Sequence, residues 1–467
     1  MPRFLLLALV ALAATAHAAK SPNIVFIFAD DQRADTIAAL GNAHIKTPNL
    51  DRLVQRGLSF TRAYMQGGNN GATCVPSRAM LMSGRPYFHV DEKLMRDETW
   101  PHAFGEAGYA TFAAGKWHNG AGSVGRSFQA AKAMYIGGMT NPLKAQVCDL
   151  LPTGKMGPER LSPKHLCEEA TDEVLGFIKA HDPTKPFYAY LAFDGPHDPH
   201  IVPDGFPVTY DPAKIPLPAN FLPQHPFNNG DMTLRDELLL PWPRQPAAIQ
   251  QMLADYYRYI SYLDQQIGRI LDAVEASPQA ANTVIVFAAD SGVARGSHGL
   301  IGKQNLYEHS MRVPLIIAGP GVPKGQRTDA LCYLFDVLPT LGKVCGVAAP
   351  KTSEGREFSA LFAAPASAHR PQLLFGYRNI QRALSDGRWK LIRYPQVDRT
   401  QLFDLQADPF EITDLSAKPE QAARVADLLA RLAEEQKAVA DPLPLVVAKP
   451  QPADWVPPNK QPKSGKK

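Results

Sequence analysis

Five stretches constrain the fold of this chain more than any other feature: Ile24 to Ala29, Tyr109 to Ala114, Phe187 to Phe193, Val284 to Ala289 and Val313 to Ala318 are continuous apolar runs rich in β-branched and aromatic residues. A strand with one wet face alternates polar and apolar side chains, whereas an unbroken run belongs to a strand covered on both faces. Between the runs lie helical patterns at Asn49 to Arg56, Thr171 to Ile178 and Ile249 to Ala276. The last places Tyr256, Tyr259, Ile260, Leu263, Ile267, Ile270 and Leu271 on one face, a stripe better suited to core than to a binding site. Strands alternating with helices predict an α/β fold built on a large mixed, mostly parallel sheet flanked by helices, with ligands beyond the carboxyl ends of the strands.

The polar residues fall where that architecture wants them. Asp30 and Asp31 follow the first run, Lys116 and His118 the second, His197 the third and Asp290 the fourth. Singly, each has an ordinary explanation: an aspartate that caps a helix, a solvated lysine, a loop histidine. Together they set carboxylates, a lysine and two histidines along one edge of a sheet. Clustered carboxylate oxygens suit a hard divalent cation such as Ca²⁺ or Mg²⁺ and disfavour zinc. With Arg78 and Lys303 added, the pocket becomes electropositive and suited to a sulfate or phosphate group.

The first eighteen residues carry one basic residue, a short apolar run and the end Ala16-His17-Ala18, the pattern of a secretory leader. A periplasmic or secreted protein is expected, and no later run approaches the roughly 20 apolar residues of a membrane span. A net charge of +4 gives no reason to invoke nucleic acid. Besides Cys74 the chain has Cys148, Cys167, Cys332 and Cys345; in an oxidising compartment the local pairs Cys148–Cys167 and Cys332–Cys345 are expected, with four buried thiols as the other reading. From Leu361 the character changes to short strands at Gln372–Arg378, Gln381–Ser385, Arg388–Tyr394 and Gln401–Leu405, then a helix from about Glu420 to Ala438. The organisation expected is a leader at 1–18, a catalytic domain at 19–365, a small C-terminal α+β subdomain at 366–446 with an antiparallel sheet, and a disordered basic tail at 447–467.

One pentapeptide adds a nucleophile. Cys74-Val75-Pro76-Ser77-Arg78 resembles the C-x-P-S-R signature of the type I, formylglycine-dependent sulfatases, although Cys-x-Pro alone also occurs as a turn beside a small buried hydrophobe. The resemblance extends from about Asn23 to Leu415 through Asn23–Asp31, Gly115-Lys116-Trp117-His118, Pro196-His197-Asp198-Pro199, Ala289-Asp290-Ser291-Gly292 and the run Gly296 to Leu315, which is similar to the bacterial polysaccharide-sulfatase and iduronate-sulfatase-like branch. It implies an alkaline-phosphatase-like fold and an exported enzyme that hydrolyses sulfate esters of a sulfated saccharide. It also implies that a formylglycine-generating enzyme converts Cys74 to formylglycine (3-oxoalanine), and that Asp30, Asp31, Asp290 and the modified Cys74 hold one Ca²⁺.

By the same resemblance, the aldehyde hydrate at 74 attacks sulfur while the cation and Lys303 draw charge from the sulfate oxygens. Arg78 holds the nucleophile, His197 with Lys303 protonates the leaving alcohol, and His118 beside Lys116 takes the proton whose loss expels sulfate. Ser291 departs from the pattern, standing where the family usually has Asn or His, and implies looser metal binding. His200, Asn119, Arg312, Trp117 and Arg62 are candidates for the pocket mouth or, equally, for the scaffold. Competing functions are a phosphodiesterase or phosphonate hydrolase of the same superfamily and a catalytically silent binder of sulfated glycans.

Overall fold

The computed structural model describes residues 21–458, so the expected leader at 1–18 lies outside the described residues. The strands that position the site are β1 (Asn23–Ala29), β2 (Gly57–Tyr64), β3 (Gly67–Gly68), β4 (Ala110–Lys116), β5 (Ala130–Tyr135), β6 (Phe187–Ala192), β7 (Thr283–Ala289), β8 (Arg312–Ala318), β9 (Gln326–Thr328) and β10 (Cys332–Tyr333). All but β3 form one nine-stranded sheet in the order β9-β2-β8-β7-β1-β6-β4-β5, with β10 also pairing β2. Pairing is parallel except where β8 runs antiparallel to β2 and β7. The sheet is therefore mixed and mostly parallel, as the apolar runs predict. β1, β6 and β7 are buried at every position because helices cover both faces.

The helices used below are α1 (Pro48–Arg56), α2 (Cys74–Ser83), α3 (Leu166–Ala180), α4 (Pro246–Ala276) and α5 (Ala422–Ala438). Helix α4 buries Tyr259, Leu263, Ile267 and Ile270 in the layer that covers one face of the sheet, so its tyrosine stripe is core. Tyr256 does more than pack: its hydroxyl donates to the Asp31 carbonyl at 2.6 Å and accepts from the Arg33 N–H at 2.9 Å, pinning the turn that follows β1.

A second, five-stranded sheet contains β11 (Leu373–Tyr377), β12 (Gln381–Ser385), β13 (Trp389–Tyr394) and β14 (Arg399–Asp404), in the order β14-β13-β12-β11-β3. Helix α5 seals one face of it through Leu428 and Leu432. The expected antiparallel sheet is present, and it takes in a parallel edge strand, β3, from the N-terminal part of the chain. Gly67 makes that pairing possible: with φ of 115° and the Gly376 carbonyl 1.8 Å from where a Cβ would stand, no other residue fits.

Two expectations are corrected. All five cysteines are free. Cys148 sits at the outer edge, bridged to Met134 beside β5, while Cys167 faces inward and donates to Asp194 Oδ1 at 3.0 Å. Cys332 is wholly buried in β10, and Cys345 at the end of its helix points toward the Pro22 carbonyl at 4.0 Å, so neither local pair forms. Part of the tail expected at 447–467 makes contacts with the body: Gln451 N–H donates to the Gln396 carbonyl, Asn228 N–H to that of Ala453, and Trp455 sets its ring edge-on to Trp242 at 5.1 Å, whereas residues 459–467 lie outside the described residues. An aromatic with a partner and satisfied backbone groups outweigh the Pro- and Lys-rich composition.

The two sheets are also joined by histidines. Tyr307 donates to Gln401 Oε1 at 2.7 Å, His225 Nε2 lies 3.0 Å from the same hydroxyl, and His298 stacks on the Tyr307 ring while reaching the Glu411 carbonyl at 2.9 Å. Burial holds His225 down at about 4 and His298 at about 3. A depressed folded-state value means stability that is complete above the unfolded value near 6.5 and is lost as pH falls. Each histidine is expected to cost about 2 kcal/mol between pH 7.5 and pH 5. Calorimetric melting across that range should show the fall, with a shallower slope in His298→Gln.

Candidate active site

Register assembles the carboxylates. Ala29 pairs with Ala289, so Asp30 and Asp290, the next residue of each strand, emerge side by side. Asp290 N–H donates to the Ala29 carbonyl at 3.1 Å, and Asp31 N–H to Asp290 Oδ1 at 3.1 Å. Asp31 has φ of 62°, which turns the chain sharply and brings its carboxylate back to the cluster. Two strands away, β4 ends at Lys116, whose buried ammonium pairs with Asp30 Oδ2.

Helix α2 supplies the next groups by its periodicity. Cys74, Ser77 and Arg78 lie within one turn on one face, which is why the motif fixes its serine and arginine at those spacings. Ser77 Oγ donates to the Asp290 carbonyl at 2.6 Å. The Arg78 guanidinium reaches Asp290 Oδ2 at 3.0 Å, Asp30 Oδ2 at 3.1 Å and the Lys116 carbonyl at 3.0 Å. Lys303 Nζ donates to Asp31 Oδ1 at 2.5 Å, and Ser291 Oγ donates to the same oxygen at 2.9 Å. All of these groups are buried, so each charge needs its partner.

Burial opposes ionisation of Asp30, yet Lys116 and Arg78 outweigh it and hold the carboxyl well below its usual range. Burial and the Asp30 charge push Asp290 up. Burial also opposes the charge on Lys303, but Asp31 and the neighbouring acids keep it protonated. The Cys74 thiol is pushed up to about 11 by burial, despite Lys303 and Lys116 nearby. As a thiol it is protonated at neutral pH and a poor nucleophile.

Two histidines face this centre. His118 Nδ1 lies 3.1 Å from Cys74 Sγ; burial, then Lys116, lower it to about 3, so the ring is neutral and can accept a proton. His197 Nδ1 lies 2.7 Å from the Asp198 carbonyl, which can only accept, so Nδ1 carries the proton and Nε2 points to Asp31 Oδ2 at 3.7 Å. Ligand atoms of Asp30, Cys74 and Asp290 lie within 4.8 Å of one another, as do those of Asp30, Asp31 and His197. Asp30 Oδ1 is buried with no hydrogen-bond partner among the described residues, the state expected of an oxygen that coordinates a cation.

The structure thus brings together Cys74, Arg78, Lys116, His118, His197, Lys303, Asp30, Asp31, Asp290 and Ser291. It does not bring in the mouth candidates. Trp117 donates to the Gly120 carbonyl and Ser123 Oγ, and Asn119 to the carbonyls of Val75 and Glu92, so both are scaffold. His200 faces Arg295, Arg312 pairs with Glu308, and Arg62 lies beside Gly387. The cavity over Cys74, about 280 Å³, is instead rimmed by Gly138, Met139, Leu234, Arg235, Asp236 and Gln304. Only Gln304 carried a signal in sequence, as the neighbour of Lys303; it donates to the Gly71 carbonyl and to Asp236 Oδ2. The others come from segments without periodicity.

Comparison with known proteins decides the family. The sulfatase family matches residues 22–347, and the C-terminal part matches the family described as N-sulphoglucosamine sulphohydrolase, C-terminal, over residues 296–438. The chain belongs to the sulfatase family. It is a sulfuric ester hydrolase by that membership, with an alkaline-phosphatase-like α/β fold. It is 27% identical to an arylsulfatase of Clostridium perfringens over 453 residues, covering 86% of this chain and 92% of that one. An N-acetylglucosamine-6-O-sulfatase of Bacteroides thetaiotaomicron is 25% identical over 503 residues, covering 90% and 87%. In fold it resembles, at a TM-score of 0.76 and 22% identity, a protein solved in complex with its substrate D-glucosamine-2-N,6-O-disulfate, covering 91% of this chain and 99% of that one. Among the described residues no helix is long and apolar enough to cross a membrane.

Because this sulfatase buries its carboxylates around one guanidinium, Arg78→Ala is expected to cost about 3–5 kcal/mol. Urea unfolding should show that loss, with a smaller one for Arg78→Lys; a cost below about 1 kcal/mol would mean that the lysines alone balance the cluster.

Proposed function

We propose that this sulfatase is exported, by the leader at residues 1–18, and removes sulfate from a sulfated saccharide. The observation that carries the reading is Cys74: it stands at the centre of an anion-binding, carboxylate-rich pocket with a neutral histidine 3.1 Å from its sulfur, yet as a thiol it is inert. Oxidation to formylglycine removes that inertness, since an aldehyde hydrate supplies one hydroxyl to attack sulfur and a second through which the sulfate can be shed. A divalent cation, Ca²⁺ in the simplest case, would be held by Asp30, Asp31, Asp290 and residue 74 and would supply Lewis-acid polarisation of the sulfate. Relatives that act on N-acetylglucosamine 6-O-sulfate and on a disulfated glucosamine support a sugar substrate.

The remaining work falls to the chain's own groups. Lys303 and Lys116, kept charged by their aspartates, offset the negative charge of a bound sulfate. Arg78 binds Asp30 and Asp290 together and so fixes the residues around position 74. His197, with Nδ1–H tied to the Asp198 carbonyl, presents Nε2 to the leaving alcohol, and the doubly protonated ring donates its Nε2 proton there. His118 accepts the proton from position 74 through Nδ1, and its burial among cations keeps it free to do so. Ser291 cannot reach as far as Asn or His; its hydroxyl orients Asp31, and metal binding is correspondingly looser.

Three measurements test this reading. Protein from a host with the maturation enzyme should carry an aldehyde at 74 by mass spectrometry and release sulfate faster from aryl sulfate than phosphate from an aryl phosphodiester; unmodified cysteine with retained sulfated-sugar binding would identify a silent binder instead. His118→Ala is expected to lower kcat about 10²- to 10⁴-fold and to trap sulfate on the protein. Calcium titration of metal-stripped enzyme should give a dissociation constant weaker than about 10⁻⁸ M, tightened by Ser291→Asn.

A further inference from the structure

A second cavity of about 390 Å³ lies beside the first, between the nine-stranded sheet's Cys74 loop and the C-terminal sheet, and nothing in the reaction uses it. The loop from Asn69 to Cys74 runs from one cavity to the other: Asn69 lines the second, and Gly71, Ala72 and Cys74 line the first. One residue, Asn70, separates Asn69 from Gly71, at most about 7 Å of chain. The cavities are therefore adjacent, with the Asn69–Cys74 loop between them.

Arg378 stands at the divide. It follows β11 with φ of 45°, held there by its N–H donating to the Gly68 carbonyl at 2.9 Å. One guanidinium nitrogen donates to Asp231 Oδ2 at 2.9 Å, while the other lies 3.0 Å from where a Cβ would stand on Gly71 and has no protein acceptor among the described residues. Arg382, in the same wall, is consumed by a bidentate pair with Asp441, so Arg378 is the donor available to a ligand. The rest of the lining is suited to a sugar. Phe88, half-buried, packs at a 40° tilt against the buried Tyr87 ring with centroids 3.9 Å apart, and the exposed Asn69 and Asn379 carboxamides make no hydrogen bond among the described residues. An apolar ring face, two free amides and a guanidinium prepositioned by a carboxylate match a pyranose carrying an anionic substituent.

We propose that this cavity is a second saccharide subsite: it binds, through Arg378, Asn69, Asn379 and Phe88, the sugar next to the one whose sulfate reaches Cys74, and favours a sulfate or carboxylate on that sugar. The inference rests on the sulfated-saccharide reading above. The C-terminal sheet then selects for substrate length and charge as well as supporting the catalytic loop.

The test compares a sulfated oligosaccharide with the matching sulfated monosaccharide and with an aryl sulfate, in wild type, Arg378→Ala, Arg378→Lys and Phe88→Ala. Arg378→Ala should raise KM for the oligosaccharide about tenfold with little change in kcat, so that kcat/KM for the oligosaccharide relative to the aryl sulfate falls by the same factor. The loss should be larger when the adjoining sugar is charged than when it is neutral, and Arg378→Lys should recover part of it. Calorimetric binding of the oligosaccharide to Cys74→Ala protein, with and without Arg378→Ala, reads the subsite without turnover. Equal losses on all three substrates, or none on any, overturn the subsite while leaving the sulfatase reading intact. Binding that depends on Arg378 without sulfate release from any sugar upholds the subsite and refutes the hydrolysis of sulfated saccharides. Neither binding nor release refutes both.

Discussion

The structure turns on the balance of charge beneath Cys74. Asp30, Asp31 and Asp290 are fully or almost fully buried, and without compensation their repulsion and lost hydration would exceed the net stability of a whole domain. Arg78 bridges two of them, Lys116 takes Asp30, and Lys303 takes Asp31. Each cation arrives on a different element, so the cluster ties the ends of β1, β4 and β7 to helix α2. Asp30 Oδ1, buried and without a hydrogen-bond partner among the described residues, is where this network has room for a further positive charge.

Around that centre the chain spends backbone geometry on placement. Asp31, His118 and Arg378 all take left-handed conformations, each at a point where a side chain must turn back toward a pocket. Glycines supply the closest approaches: Gly67 lets β3 dock against Gly376, and Gly138 leaves space for His118, whose Nε2 would lie 2.5 Å from a Cβ there. Docking of β3 means that the loop carrying Cys74 hangs from the C-terminal sheet at one end and enters helix α2 at the other. The small sheet is accordingly part of the support of the site, and the division of the chain at 365 crosses a continuous ladder.

Much of this was legible beforehand. The apolar runs announced β1, β4, β6, β7 and β8 because a strand buried on both faces has no polar positions to hide them. β2 and β5 left no such mark: β2 carries Thr61 and Arg62, and β5 alternates exposed and buried residues at the sheet's edge. The cysteine pairings failed because an even count says nothing about direction; Cys148 bridges to Met134 of the edge strand β5, whereas Cys167 on α3 turns inward to Asp194. The mouth candidates failed for a similar reason. Trp117 and Asn119 sit next to His118 in sequence, but His118 takes a left-handed conformation and turns to the pocket while its two neighbours bond to the scaffold.

Sequence by itself determined the chemistry available: carboxylates, lysines and histidines at the ends of buried strands, and a cysteine one helical turn from an arginine. Those facts are local, since strand ends and helix turns follow from periodicity within a few residues. The tertiary structure alone decided which charges meet, because the register of β1 with β7, which sets Asp30 beside Asp290, is fixed by packing between segments hundreds of residues apart. It alone placed Arg235 and Asp236 at the rim, from a segment with no period to read, and Arg378 beside them at the end of a strand whose surroundings the sequence does not show.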